Sequence, residues 1–294
     1  MIRIGIIGTE NSHAMAFSRI FNKPDESGRF VFPDCRVVGV YGPDPESTAQ
    51  IMNEVGVDFI AQDTDEFIGK VDAVMITCRK GSLHHDHAVK FIGQGLPLFV
   101  DKPITSDPAQ ALDLIARAKA KGVPLVGGSS CKYSASLPPI KEKIAALRAA
   151  GKLSTATIHY AAERDSIYDG FYFYASHTVE ILFELFGHEV RSVRACENAK
   201  GVTVVARYDD CDVTLQFMAG CYAPGILVVS PEDSFYEPIS NDGIFEAEAG
   251  HFVEMVRTGR VPQTPEELIR PVFVISAIVD ALDHHKEEVK LSIQ

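Results

Sequence analysis

Apolar residues along the first 126 positions come in short blocks separated by stretches of helical spacing. Ile2 to Ile7 is an apolar run that reaches Gly8, and Ala14, Met15, Phe17 and Ile20 follow at helical intervals, which predicts strand, turn and helix. Cys35 to Tyr41, carrying Val37, Val38 and Val40, predicts a second strand, after which Asp44-Pro45-Glu46-Ser47 opens a helix with Pro45 in its first turn. The alternation continues with strands at Val71 to Thr77, Pro97 to Val100 and Pro124 to Val126. Helices are expected between them at Leu83 to Gly93 and at Pro108 to Lys121, the latter closed by Gly122. Strands that alternate with helices in this way predict a doubly wound parallel sheet.

Beyond Gly127 the pattern changes. A helix from Leu137 to Ala150 leads to β-like segments at Ala156 to Ala162, Val190 to Cys196, Val202 to Tyr208, Val213 to Met218 and Gly225 to Ser230. Their β-branched residues and short connections predict a mostly antiparallel sheet. Ser176 to Phe186 has helical spacing and stops at Gly187; Glu246 to Thr258 and Glu266 to Lys286 are helices at the end of the chain. The fold class expected is therefore α/β in residues 1–126 joined to an α+β domain in residues 127–294, the last helix packing back toward the first domain.

Composition narrows the partners. The 294 residues are 46% hydrophobic, enough for a sizeable core, and the net charge of -12 comes without any basic block, so nucleic acid and anionic membranes are excluded as expected partners. No apolar run approaches the roughly 20 residues of a membrane span, and Met1 to Gly8 reads as a strand in place of a signal peptide. A soluble cytoplasmic protein is expected. The six cysteines lack any CxxC pair and read as reduced, mostly packed thiols.

Two strand ends carry the candidate chemistry. The first strand runs into Gly8-Thr9-Glu10-Asn11-Ser12-His13, the place where a GxGxxG turn would hold a dinucleotide's pyrophosphate on backbone N–H groups and a helix N-terminus. Only the first glycine of that pattern is present. Glu10 stands where the backbone should approach the phosphates, and His13 where a small residue normally lets helix meet strand. The second strand, which usually ends in a ribose-binding acid, ends here in Tyr41-Gly42-Pro43-Asp44, leaving Asp44 either as a late ribose acceptor or as a helix cap. The fourth strand stops abruptly on Asp101-Lys102-Pro103, so Lys102 lies extended at the carboxyl edge of the sheet, where α/β proteins bind ligands. Thr77 and His84, near the end of the third strand, complete the expected cofactor-binding set with Gly8 to His13, Asp44, Asp101 and Lys102. His84, His85 and His87 lack the i, i+4 spacing of a helical zinc pair, and no metal is expected.

The Asp101-Lys102-Pro103 element, the N-terminal alternating half, His177 in a helix of the second half, and the ending Phe252-Val253-Glu254 through Thr258-Gly259-Arg260 and Thr264-Pro265-Glu266-Glu267 together resemble the Gfo/Idh/MocA family of oxidoreductases. The resemblance covers nearly the whole chain and implies a Rossmann-like first domain that binds NAD or NADP, a small-molecule hydroxy substrate such as a sugar or polyol, and a homo-oligomer. It implies catalytic roles for Lys102, beside nicotinamide and substrate, and for His177, as acid/base. The family's DxxxH element has Phe173 where the aspartate belongs. The strings Thr9-Glu10-Asn11-Ser12-His13, Ser129-Ser130-Cys131-Lys132-Tyr133 and Tyr174-Ala175-Ser176-His177-Thr178-Val179-Glu180 look similar to a divergent branch.

Tyr174 and Glu180 lie one turn to either side of His177 and are candidates to orient it or to bind substrate. Lys132 and Tyr133, after the fifth strand, and Arg164, ahead of the His177 helix, are further substrate-binding candidates. Glu10, Gly42 and Phe173 together keep two rival readings open: a ligand-binding or regulatory relative that has lost dinucleotide binding, and a lyase or hydrolase that cycles its NAD within one turnover.

Overall fold

The computed structural model describes residues 1–291 and resolves the chain into two units. The first comprises Met1–Gly128 with Phe245–Leu268; the second comprises Ser129–Ile244 and the chain from Ile269 onward.

The first unit alternates β1 (Ile2–Ile7), α1 (Ser12–Asn22), β2 (Cys35–Tyr41), α2 (Pro45–Val55), β3 (Phe59–Ile60), β4 (Ala73–Ile76), α3 (His84–Gly93), β5 (Leu98–Asp101), α4 (Pro108–Lys121) and β6 (Leu125–Gly128). Its six strands run parallel in the order β3-β2-β1-β4-β5-β6. The order reverses between β1 and β4, which creates a ligand crevice at their carboxyl ends. Capping chemistry sets the helix starts: Asn11, Asp44 and Asp107 accept backbone N–H groups of α1, α2 and α4, the last two just ahead of Pro45 and Pro108. The core includes Ile4, Ile6, Phe17, Phe21, Val37, Met75 and Phe99, and is completed by Phe252 and Met255 from a late helix, α7 (Ile244–Thr258). Phe252 meets Phe99 edge-on at 6.3 Å, which is why residues 245–268 fold with the first unit although 115 or more positions separate them from β6 in the chain.

The second unit is built on a seven-stranded sheet. After α5 (Leu137–Ala149) and β7 (Thr155–Tyr160) come α6 (Tyr172–Phe186), β8 (Ser192–Asn198), β9 (Gly201–Arg207), β10 (Asp212–Met218), β11 (Gly225–Val229) and β12 (Phe235–Pro238); α8 (Pro265–Asp283) and β13 (Val289–Lys290) close the described chain. The order is β12-β11-β7-β10-β9-β8-β13, antiparallel throughout except for the β7–β10 pair. In β7, β9 and β10 buried residues alternate with half-exposed ones, the period expected of a sheet with one covered face. Most of α6 is buried, including the polar His177, Thr178 and Glu180.

The expected class, a doubly wound parallel sheet plus a mostly antiparallel α+β half, is the class observed. Three strands were not foreseen, β3, β12 and β13; they span two to four residues, too few to show a period. All six cysteines are free thiols. Among the described residues no helix is long and apolar enough to cross a membrane.

Candidate active site

In the first unit the turn after β1 is set by Gly8, whose φ of +103° is unfavourable for any residue with a Cβ. A side chain there would also run into the backbone of Thr77 and Cys78, because β4 ends against the turn. The Thr77 hydroxyl donates to the carbonyls of Ile7 (3.0 Å) and Gly8 (3.2 Å), tying the two strand ends together. The amide of Asn11 reaches the carbonyl of Thr77 at 3.0 Å and the Asp101 carboxylate at 3.2 Å. The same Asp101 Oδ2 meets His13 Nδ1 at 2.7 Å, and its Oδ1 accepts the Lys102 N–H at 2.7 Å. Asn11, Asp101 and Lys102 are buried and His13 nearly so, while Ser12 is exposed. The His13 that departs from a phosphate-turn pattern is thus the partner of the acid that precedes Lys102, and the peptide that follows, Lys102–Pro103, is cis.

Burial works to raise the Asp101 carboxyl, but the charge and hydrogen bond of His13, with the Lys102 charge and amide, hold it below the ordinary carboxylate range. A depressed folded-state value means stabilisation that is present above the unfolded value of about 3.9 and lost as pH falls through the folded one. Asp101→Asn is therefore expected to lower stability by about 1.5–3 kcal/mol near neutrality, with the gap to wild type closing below about pH 4. Thermal melts of both proteins across that range check it, and a gap independent of pH would contradict it.

His84, placed beside the cofactor by the sequence reading, is fully buried with Nδ1 2.7 Å from the Pro103 carbonyl and Nε2 2.7 Å from the Cys78 carbonyl. Both ring nitrogens are engaged by backbone, so its work is to clamp the loop after β4 to the one after β5. Asp44 caps α2, accepting the N–H groups of Glu46 and Ser47 at 3.2 Å each and the Ser47 hydroxyl. The cap, and not a ribose acceptor, is the role its geometry shows. Gly42 is needed because a side chain there would collide with Thr9, whose Oγ1 is 2.6 Å from Thr48 Oγ1. Thr9 and Thr48 fill the place at the end of β2 where a ribose acid would project.

The fit to a dinucleotide is good at Gly8 and at the N-terminus of α1. It is strained at Glu10, whose Oε1 accepts the Arg79 N–H at 3.0 Å while Oε2 is buried without a hydrogen-bond partner. A carboxylate thus occupies ground that a second glycine would leave to the phosphates.

The second unit gathers its own polar cluster. His177 Nδ1 lies 2.6 Å from Ser129 Oγ and 3.4 Å from Cys131 Sγ. Ser129 Oγ also accepts the Cys131 N–H at 3.1 Å, and the Ser129 N–H donates to Glu180 Oε1 at 2.6 Å. The other Glu180 oxygen takes the Lys132 ammonium at 2.7 Å, with both side chains about 95% buried. Glu180 therefore anchors the backbone of the serine whose hydroxyl meets the histidine. Tyr160 and Tyr174 pack their rings 5.8 Å and 5.1 Å from the imidazole, and Asn241 donates to the Tyr160 hydroxyl at 2.9 Å. Burial, reinforced by Cys131, pushes the Tyr160 phenol upward, so it stays protonated across the physiological range.

Of the substrate-binding candidates, Glu180 and Lys132 are committed to each other, and Tyr133 lies half-buried with its ring under the Lys132 ammonium at 5.3 Å. Arg164 is paired with Glu197 and Asp283, a structural tie in place of a substrate contact. Tyr174 keeps a place beside His177. Tyr160 and Asn241 acquire their places only in the fold: Tyr160 is one of several inward residues of β7, and Asn241 lies in an unpatterned loop.

A doubly wound parallel sheet with a glycine turn at its switch point is an architecture that can seat a dinucleotide at the carboxyl ends of its strands. Residues 2–129 match the model of the Gfo/Idh/MocA family, described as an oxidoreductase family with an NAD-binding Rossmann fold. An uncharacterized oxidoreductase of Escherichia coli (strain K12), YhhX, is 26% identical over 165 residues, a match that covers 51% of this chain and 47% of that protein, about half its length. Among solved structures, myo-inositol 2-dehydrogenase from Lactobacillus plantarum superposes with a TM-score of 0.82 at 15% identity, with 99% of each chain covered. Myo-inositol dehydrogenase from Lactobacillus casei, solved with NAD(H) and myo-inositol, gives 0.81 at 14% identity, covering 100% of this chain and 98% of that one. At these identities the structural matches establish a shared fold.

Proposed function

We propose that this chain is an NAD-dependent oxidoreductase that moves hydride between the cofactor and a hydroxyl-bearing carbon of a polyol or sugar-like substrate, with Lys102 and His177 as its catalytic residues. The observation that carries the reading is the buried His177 held at Nδ1 by the Ser129 hydroxyl, on a residue whose backbone N–H is anchored by Glu180, which fixes an imidazole by one nitrogen as an acid/base requires. When bound, the nicotinamide supplies the hydride acceptor or donor. Gly8 and the first N–H groups of α1 hold its pyrophosphate. Lys102 donates a hydrogen bond to the substrate oxygen as that oxygen gains carbonyl character. With Nδ1–H donated to Ser129 Oγ, His177 exchanges the hydroxyl proton at Nε2. NAD is favoured over NADP because Thr9, Thr48 and Asp44 surround the end of β2, where a 2′-phosphate would need a cation. A cytoplasmic location and homo-oligomeric assembly belong to the same proposal, and light scattering tests the latter.

Titration of the purified protein with NADH and NADPH, followed by fluorescence and calorimetry, tests the cofactor. Wild type is expected to bind NADH more tightly than NADPH. Glu10→Gly, which removes a carboxylate beside the phosphates, is expected to tighten NADH binding by roughly tenfold. Absence of any heat or fluorescence change with wild type would refute the proposal; binding recovered only in Glu10→Gly would show a fold whose cofactor site has been closed by that one side chain.

A further inference from the structure

A pocket of about 240 Å³ opens in the second unit beside the N-terminal turn of α6. Its walls include four aromatic rings, Tyr168, Phe173, Tyr174 and Tyr222, together with the carboxylates Glu163 and Asp165. The rings form a continuous series, with centroids 4.9 Å apart from Tyr168 to Phe173, 5.2 Å from Phe173 to Tyr174 and 5.6 Å from Tyr174 to Tyr222. No lysine or arginine lines the pocket. The basic residue of the intervening loop, Arg164, is held elsewhere by Glu197 and Asp283. Tyr174 also touches the His177 ring at 5.1 Å, so one side chain is shared between this pocket and the candidate acid/base.

Aromatic faces attract cations through their quadrupole, and two carboxylates with no neutralising partner in the wall add Coulomb attraction of the same sign. A neutral polyol can stack on such rings and donate its hydroxyls to the carboxylates, but an ammonium group adds to these the charge attraction of both the ring faces and the two acids. The volume lies below the roughly 300 Å³ at which sites for drug-sized ligands begin, which suits one ring or one substituent of a small substrate. Phe173, which stands where the family's aspartate is expected, is one of the rings.

We infer that this pocket receives the ammonium group of an amine-bearing sugar or cyclitol, which narrows the substrate class from polyols in general to amino polyols. The inference rests on the oxidoreductase reading above but concerns recognition and not hydride transfer, so binding alone tests it. The chain has nine tyrosines and no tryptophan. Tyrosine emission, to which three residues of the pocket contribute, is therefore a usable signal. The full-length protein is titrated with D-glucosamine and with D-glucose, which differ at one position by an ammonium in place of a hydroxyl. Glucosamine is expected to bind at least roughly tenfold more tightly, the advantage shrinking at high salt and disappearing in the Glu163→Gln/Asp165→Asn double variant. Tyr222→Leu is expected to weaken glucosamine and leave glucose unchanged. Glu163, Asp165 and Tyr222 are exposed, so these variants retain the fold.

Equal affinities, a preference for glucose, no response to either sugar, or a preference that survives in the double variant would each overturn the inference. Its failure is separable from that of the oxidoreductase reading. A protein that binds NADH and oxidises neutral polyols without preferring glucosamine keeps the activity and loses the amine pocket. One that selects glucosamine but binds no dinucleotide keeps the pocket and loses the activity.

Discussion

His177→Asn is expected to lower turnover by roughly 10²–10⁴-fold, the range over which a positioned acid/base contributes. Asparagine retains a polar group near Ser129 Oγ but has no nitrogen that both accepts and returns a proton near neutrality. Substrate affinity is expected to change far less than turnover, because the lost interaction belongs to the transition state. The pH profile separates this from a packing defect: the wild-type rate in the oxidation direction rises as a single base loses its proton, and that limb vanishes in the variant. Ser129→Ala supplies the graded control. Removing the hydroxyl 2.6 Å from Nδ1 frees the ring to adopt the wrong tautomer or orientation and should lower turnover while shifting, not abolishing, the pH limb. A wild-type rate in His177→Asn, measured on any polyol that the wild type oxidises, would remove the residue from the mechanism.

Lys102→Met is the second large effect, a fall in turnover of at least roughly tenfold with the fold intact. Lys102 is 2% exposed at the end of β5, where its amide is held by Asp101. Methionine keeps much of the aliphatic stem and brings no charge into the interior, so far-UV circular dichroism and the melting temperature should change little. The lost ammonium no longer donates to the substrate oxygen, and Lys102→Arg should restore little because a planar fork does not reproduce a point donor. Unchanged turnover in Lys102→Met would sink the assignment of this residue.

The positions of both residues were legible in the sequence, though their catalytic roles came from the family resemblance: the apolar run that breaks on acid, amine and proline predicts a strand end, and β5 ends at Asp101, while His177 falls in the predicted helix, α6. Neither partner network was legible. His13 and Asp101 are 88 positions apart, and Ser129 and His177 are 48 apart; nothing in the local pattern of either pair specifies the other. Arg164 makes the same point: in sequence it is a basic residue in a polar loop ahead of the histidine helix, and only folding brings Glu197 and Asp283 to it. Asp44 had two readings because a cap and a ribose acceptor ask for the same side chain at nearly the same place; the two backbone N–H groups of α2 decide for the cap.

What the sequence determined alone is therefore local: the alternation of strand and helix, the glycine turn after β1, and the strand end that presents Lys102. Each depends on residues within a few positions of one another, where periodicity and backbone propensity act directly. What only the tertiary structure decided is long-range: α7 completing the core of the first unit, Thr9 filling the end of β2, Glu180 and His177 meeting the same serine, and four aromatic rings and two carboxylates lining one pocket. Those arrangements arise because burial and hydrogen bonding are settled between whole elements, and the chain pattern of any one element carries no record of which neighbour will satisfy it.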